Sequence, residues 1–102
     1  MIPLIQQHRD AINSLCQRFG VVKLEVFGSA AEADKDDIPH DLDFLVTFAR
    51  KQGMGPADQY FGLLGELQSL FERPIDLVCT TAVRNPYFLQ EVNRSRSPLY
   101  AA

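Results

Sequence analysis

The chain has 102 residues, of which 46% are hydrophobic and 23% charged, so it has enough apolar side chains for one core and too few residues for two. Its formal net charge of −3 gives no bulk electrostatic case for a nucleic-acid partner. No apolar run is long enough to span a bilayer, and Met1–Asp10 lacks the basic-then-apolar pattern of a secretory signal.

Leu4, Ile5, His8, Ile12, Leu15, Cys16 and Phe19 recur at helical spacing and predict one helix, with Gly20 as its C′ residue. Val21–Phe27 is β-rich and predicts a strand with Val22, Leu24 and Val26 on one face, running straight into Gly28-Ser29. Residues 30–40 are acidic, small or turn-forming and predict a loop. Leu42–Phe48 is a second strand, and Lys51–Gly55 a glycine-rich turn. Pro56 suits the first position of a helix carrying the apolar stripe Tyr60, Leu63, Leu64, Leu67, Leu70 and Phe71. A third strand covers Ile75–Thr80, Asn85-Pro86 opens a short helix to about Val92, and Ser95–Ala102 predicts a final extended segment. The order α-β-β-α-β-α makes an α+β fold, a small mixed β-sheet flanked by helices.

Asp41 and Asp43 carry the chemistry. At i and i+2 of a strand, the two carboxylates point to the same face. Like charges so placed call for a cation, and Mg²⁺ takes one or two protein carboxylates together with substrate phosphates. Asp76 interrupts the apolar run Ile75-Asp76-Leu77-Val78, where an unpaired charge is costly. If its strand pairs beside the second, Asp76 joins the other two. Three carboxylates then suit two metals, one activating an attacking oxygen and one clamping a triphosphate. Gly28 lets the backbone approach a phosphate closely, and the Ser29 hydroxyl can donate to it. Each element has a plainer structural account: a turn for Gly-Ser, a solvated strand start for Asp-x-Asp, and a half-exposed edge for Asp76. Their joint occurrence is what makes the pattern specific.

Phe27-Gly28-Ser29, Asp41-Leu42-Asp43-Phe44-Leu45-Val46 and Ile75-Asp76-Leu77-Val78 together resemble the minimal nucleotidyltransferase (MNT) domains of the DNA polymerase β-like superfamily. The resemblance covers nearly the whole chain, with residues 1–102 as a single domain. It implies the polymerase β-like fold and Mg²⁺-dependent transfer of a nucleoside monophosphate from a triphosphate such as ATP to a hydroxyl. It further implies that Asp41 and Asp43 bind both metals, that Asp76 completes the second metal site and helps deprotonate the acceptor, and that Gly28 and Ser29 hold the triphosphate. Short members of the family commonly serve as antitoxins to a HEPN-domain ribonuclease toxin, silencing it by adenylylating a tyrosine. Three features depart from the usual pattern. The segment from Ser29 to Asp41 is one residue longer than is common, no Arg follows Gly28-Ser29 within it, and His40 stands where a Ser often precedes Asp-x-Asp.

The resulting expectation is a cytoplasmic antitoxin that adenylylates a HEPN-domain partner, with two Mg²⁺ ions as cofactor and neither membrane nor direct nucleic-acid binding. One rival is a catalytically weak module of the same fold that neutralises its partner by contact. Another is a transferase acting on a small-molecule hydroxyl, although the chain leaves little room for an acceptor domain. Among the remaining residues, His40 reads as a turn residue and His8 as a core-edge histidine. Tyr60, Phe61, Phe71, Tyr87 and Phe88 read as packing residues, and Arg84, Arg94 and Arg96 as a solvated basic face. Cys16 and Cys79 read as free thiols, which suit a reducing compartment. Glu32, Asp34, Asp36 and Asp37 form an acidic stretch that is either a solvated excursion or a gate to the site.

Overall fold

The computed structural model describes residues 1–32 and 39–102. The acidic stretch at Asp34, Asp36 and Asp37 therefore lies outside the described residues.

Four strands form one sheet in the order β3-β2-β1-β4, from β1 (Val21–Phe27), β2 (Leu42–Phe48), β3 (Ile75–Cys79) and β4 (Ser97–Ala101). β1 runs antiparallel to both β2 and β4, whereas β2 and β3 are parallel. A parallel pair needs a long crossover, and α4 (Pro56–Phe71) supplies it. The remaining helices are α1 (Pro3–Gln7), α2 (Arg9–Arg18), α3 (Ser29–Glu32) and α5 (Pro86–Ser95). The architecture is thus the expected α+β mixed sheet with helices, and β4 is the extended segment foreseen at the end of the chain.

The two faces of the sheet bury different residues. On one face Leu24, Val26, Leu42, Phe44 and Val46 pack with Ile12, Cys16, Leu63, Leu67 and Phe71 of α2 and α4. On the other, Phe27 and Leu45 pack with Val92 of α5, flanked by Phe88, Val78 and Val83. Strand alternation assigns Asp41 and Asp43 to this second face, with Leu45. The helical stripe of α4 sits as expected, with Leu63, Leu67 and Phe71 buried. Its Tyr60 hydroxyl donates to the Leu77 carbonyl at 2.6 Å and ties the crossover helix to β3.

Several details differ from the sequence expectation. The first helix is two, because the chain breaks at His8 (φ −103°, ψ 16°). His8 does sit at the core edge, its Nδ1 2.8 Å from the Leu4 carbonyl and its ring edge-on to Phe71. Val22 is exposed rather than aligned with Leu24 and Val26, since the β1–β2 register shifts between Val21 and Lys23. The start of the expected loop is the short helix α3. Phe61 and Tyr87 are 66% and 77% exposed, so neither is a packing residue. Phe61 lies two positions from the buried Gln59 and Leu63, a rotation of about 200°, and Tyr87 one position from Phe88, about 100°. Arg96 is not a solvated cation: it forms a two-pronged ion pair with Glu25, both contacts at 2.7 Å. Both cysteines are free, and burial pushes the Cys16 thiol up to about 12.

Gln59 is a buried polar side chain that joins three elements. Its Nε2 donates to the carbonyls of Phe19 at 2.9 Å and Ala49 at 2.8 Å, closing the end of α2 and the end of β2 onto α4. Gly20, at φ +71°, leaves room for it, since a Cβ there would stand 2.8 Å from that nitrogen. Gln59→Leu would strand both carbonyls and is expected to cost about 1–3 kcal/mol. Thermal unfolding should show this as a fall of roughly 5 °C or more.

Candidate active site

The register of the central strands decides where the expected residues meet. Asp43 faces Phe27 across the antiparallel β1–β2 pair and Asp76 across the parallel β2–β3 pair. The aspartate of the third strand thus lies level with the second aspartate of the Asp-x-Asp pattern, on the adjacent strand and the same face. Asp41 lies two residues before Asp43, just ahead of β2.

Gly28 follows Phe27 directly and turns the chain out of β1 at φ +68°. A Cβ on Gly28 would lie 2.6 Å from Asp43 Oδ2, so the carboxylate fills the space that any larger residue would need. Ser29 opens α3 and is exposed. The turn therefore brings Gly28 against Asp43, with Ser29 the next residue. The Gly28 N–H is itself engaged, donating to Ser95 Oγ at 2.8 Å.

The electrostatics agree with the crowding. Asp43 is half-buried, and its carboxyl is raised from the ordinary 3.8, first by burial and then by the charges of Asp76 and Asp41. A group in that position favours a nearby cation, which suits the hard oxygen donors that Mg²⁺ takes. Asp41 and Asp76 are exposed, and Asp41 Oδ1 lies 3.8 Å from His40 Nε2. Among the described residues, no group of three His, Cys, Asp or Glu side chains is arranged to hold a metal ion. The backbone thus places Asp43 and Asp76 as neighbours, and Asp41, exposed just ahead of β2, adds its charge to theirs.

α5 roofs the rest of this face. Asn85 caps it as expected, accepting from the Tyr87 N–H at 2.9 Å. Phe88 meets Phe27 edge-on at 5.9 Å between ring centres. Sequence reasoning missed Glu25 and Ser95, and placed Arg96 on a solvated face. Glu25 offered a signal: a carboxylate inside the apolar run Leu24-Glu25-Val26 needs a partner, by the reasoning applied to Asp76. It is 3% exposed and held by Arg96, whose hydrogen bonds keep its carboxyl below the ordinary 4.5.

Residues 10–102 match the family described as polymerase beta, nucleotidyltransferase, and the chain belongs to that family. A solved structure assigned as a minimal nucleotidyltransferase is 32% identical, with 92% of this chain and 91% of that one covered and a TM-score of 0.70. The fold also matches a toxin–antitoxin structure with AMP-PNP at 18% identity, 92% of this chain and 73% of that one covered, TM-score 0.67. A third match is to the tri-AMPylated Shewanella oneidensis HEPN toxin in complex with MNT antitoxin, at 19% identity, 96% and 73% covered, TM-score 0.65. A comparison with curated proteins found no match. No helix among the described residues is long and apolar enough to cross a membrane.

Two substitutions test this geometry. Gly28→Ala should cost about 1–2 kcal/mol from the left-handed backbone alone. It should also push the Asp43 carboxylate aside, visible as a change in the Asp43 titration by NMR. Asp43→Asn should do the opposite to stability. A carboxyl raised on folding opposes the folded state above its folded pKa, and that opposition fades as protonation removes the charge. The variant should therefore be more stable than the wild type at neutral pH in thermal unfolding. The gap should close as the pH falls towards 3.8 and below, where the Asp43 carboxyl becomes protonated and neutral like the asparagine.

Proposed function

We propose that the protein is a nucleotidyltransferase that moves AMP from ATP to a hydroxyl of a partner protein, acting as antitoxin to a HEPN-domain toxin in the cytoplasm. The observation that carries this reading is the level pairing of Asp43 with Asp76, against a glycine turn whose free space Asp43 fills. Membership of the nucleotidyltransferase family supports the reaction type, and the MNT–HEPN complexes among the fold matches support the partner.

In this reading Asp41, Asp43 and Asp76 hold the metal, and the Gly28-Ser29 turn holds the triphosphate, Gly28 by shaping the turn and Ser29 by contact. Bound Mg²⁺ supplies neutralisation of the triphosphate charge and acidifies the attacking hydroxyl. The acceptor oxygen bonds the α-phosphorus, the bond to the bridging oxygen breaks, and pyrophosphate leaves. Asp76, exposed on the edge strand β3, receives the hydroxyl proton. The Ser29 hydroxyl donates to the phosphates, where negative charge is concentrated.

The test is label transfer from ATP carrying radiolabel on its α-phosphate to a co-expressed HEPN-domain partner. Transfer should require Mg²⁺ and should fall by at least about a hundredfold in the Asp41→Asn/Asp43→Asn double variant. Mass spectrometry of the partner should show the added AMP. Undiminished labelling in the double variant would sink the reading. That no three metal-ligating side chains are gathered among the described residues favours one alternative, a binding module that neutralises its partner by contact. Calorimetry separates the two, because the contact-only module would show no ATP binding in the presence of Mg²⁺.

A further inference from the structure

We propose that Ser95 is a positioning residue for the nucleotide turn, holding Gly28 from across the molecule through its hydroxyl. The inference rests on the transferase reading above and adds to it a residue outside the motifs.

The contact is long-range: Ser95 Oγ accepts from the Gly28 N–H at 2.8 Å, 67 residues away in sequence. Ser95 is the last residue of α5, and its own helix holds the hydroxyl weakly, with 3.5 Å to the Glu91 carbonyl. The next residue anchors the same helix end. Arg96 grips Glu25 with two contacts of 2.7 Å, and its Nη1 donates to Asn93 Oδ1 at 2.8 Å. The end of α5 is therefore fastened to β1 at two points three residues apart, the buried Glu25 and the turn residue Gly28. The ion pair is the rigid one, because a buried carboxylate left without its guanidinium is strongly disfavoured. The serine contact is the functional one. It fixes the peptide plane entering Gly28, and Gly28 sets both the space for the Asp43 carboxylate and the direction of Ser29. A left-handed glycine has many backbone alternatives, so an unheld turn would sample them at the expense of the phosphate-binding geometry. Engaged with Ser95, the Gly28 N–H is not a free phosphate donor, and the role of Gly28 is to shape the turn while Ser29 makes the contact.

The experiment compares wild type, Ser95→Ala, Ser95→Thr and Ser95→Val by amide exchange and by transfer kinetics. Thr keeps the hydroxyl, and Val removes it at nearly constant shape. Ser95→Ala and Ser95→Val should speed exchange at Gly28 by about tenfold or more, and Ser95→Thr should not. Both hydroxyl-free variants should raise KM for ATP about five- to tenfold with kcat changed less than about twofold, and Thr should restore KM. A purely structural role would lower Tm without that split. The proposal is overturned if Gly28 exchange is unchanged, if exchange rises while KM stays at the wild-type value, or if Thr is as defective as Val. If the wild type transfers nothing from ATP, the transferase reading fails. The exchange comparison then decides by itself whether Ser95 holds the turn.

Discussion

The close approach of Gly28 to the Asp43 carboxylate is the constraint on which the site depends. The chain leaves β1 with its backbone almost against a charged oxygen of the neighbouring strand, and only a residue without Cβ permits this. The same contact half-buries Asp43, and burial is the first cause of its raised carboxyl. Asp76, level with it on β3, adds a like charge. Stability alone would not favour such an arrangement. The cation of the proposed function would offset the repulsion that the folded chain otherwise carries.

The sheet separates this work between its faces. The face under α2 and α4 is a continuous apolar core and carries most of the burial. The opposite face has a smaller cluster, Phe27, Leu45 and Val92, which seats α5 and leaves the aspartates beyond its rim. A short helix on a small cluster is weakly held by burial alone. The Glu25–Arg96 ion pair supplies the missing anchor, with Lys23 Nζ a further 3.6 Å from the same carboxylate. Because Ser95 precedes Arg96, fastening the helix also fastens the glycine turn.

Much of this was legible in the sequence because it was local. Pro56 at the start of α4, Gly20 after α2 and Asn85 before α5 act through backbone sterics and capping within a few residues. Phe61 and Tyr87 depart from expectation for a local reason too: aromatic type favours burial, but helical rotation turns both outward. The split at His8 and the register shift after Val21 were not legible, since neither has a breaker residue to mark it.

By itself, then, the sequence determined where the first three strands and the helices α4 and α5 lie, the strand alternation that sets Asp41 and Asp43 on one face, and the need for a glycine before Ser29. It also held all three aspartates and the pattern that resembles a nucleotidyltransferase. Only the tertiary structure decided that β3 lies parallel beside β2 in the register that levels Asp76 with Asp43. Only the fold, too, decided that Ser95 and Arg96 reach back to Gly28 and Glu25. The physical reason is the range of the interactions. Propensity, capping and periodicity act within a few residues, whereas strand register and buried ion pairs are settled by partners far along the chain, when the sheet and its helices close around one core.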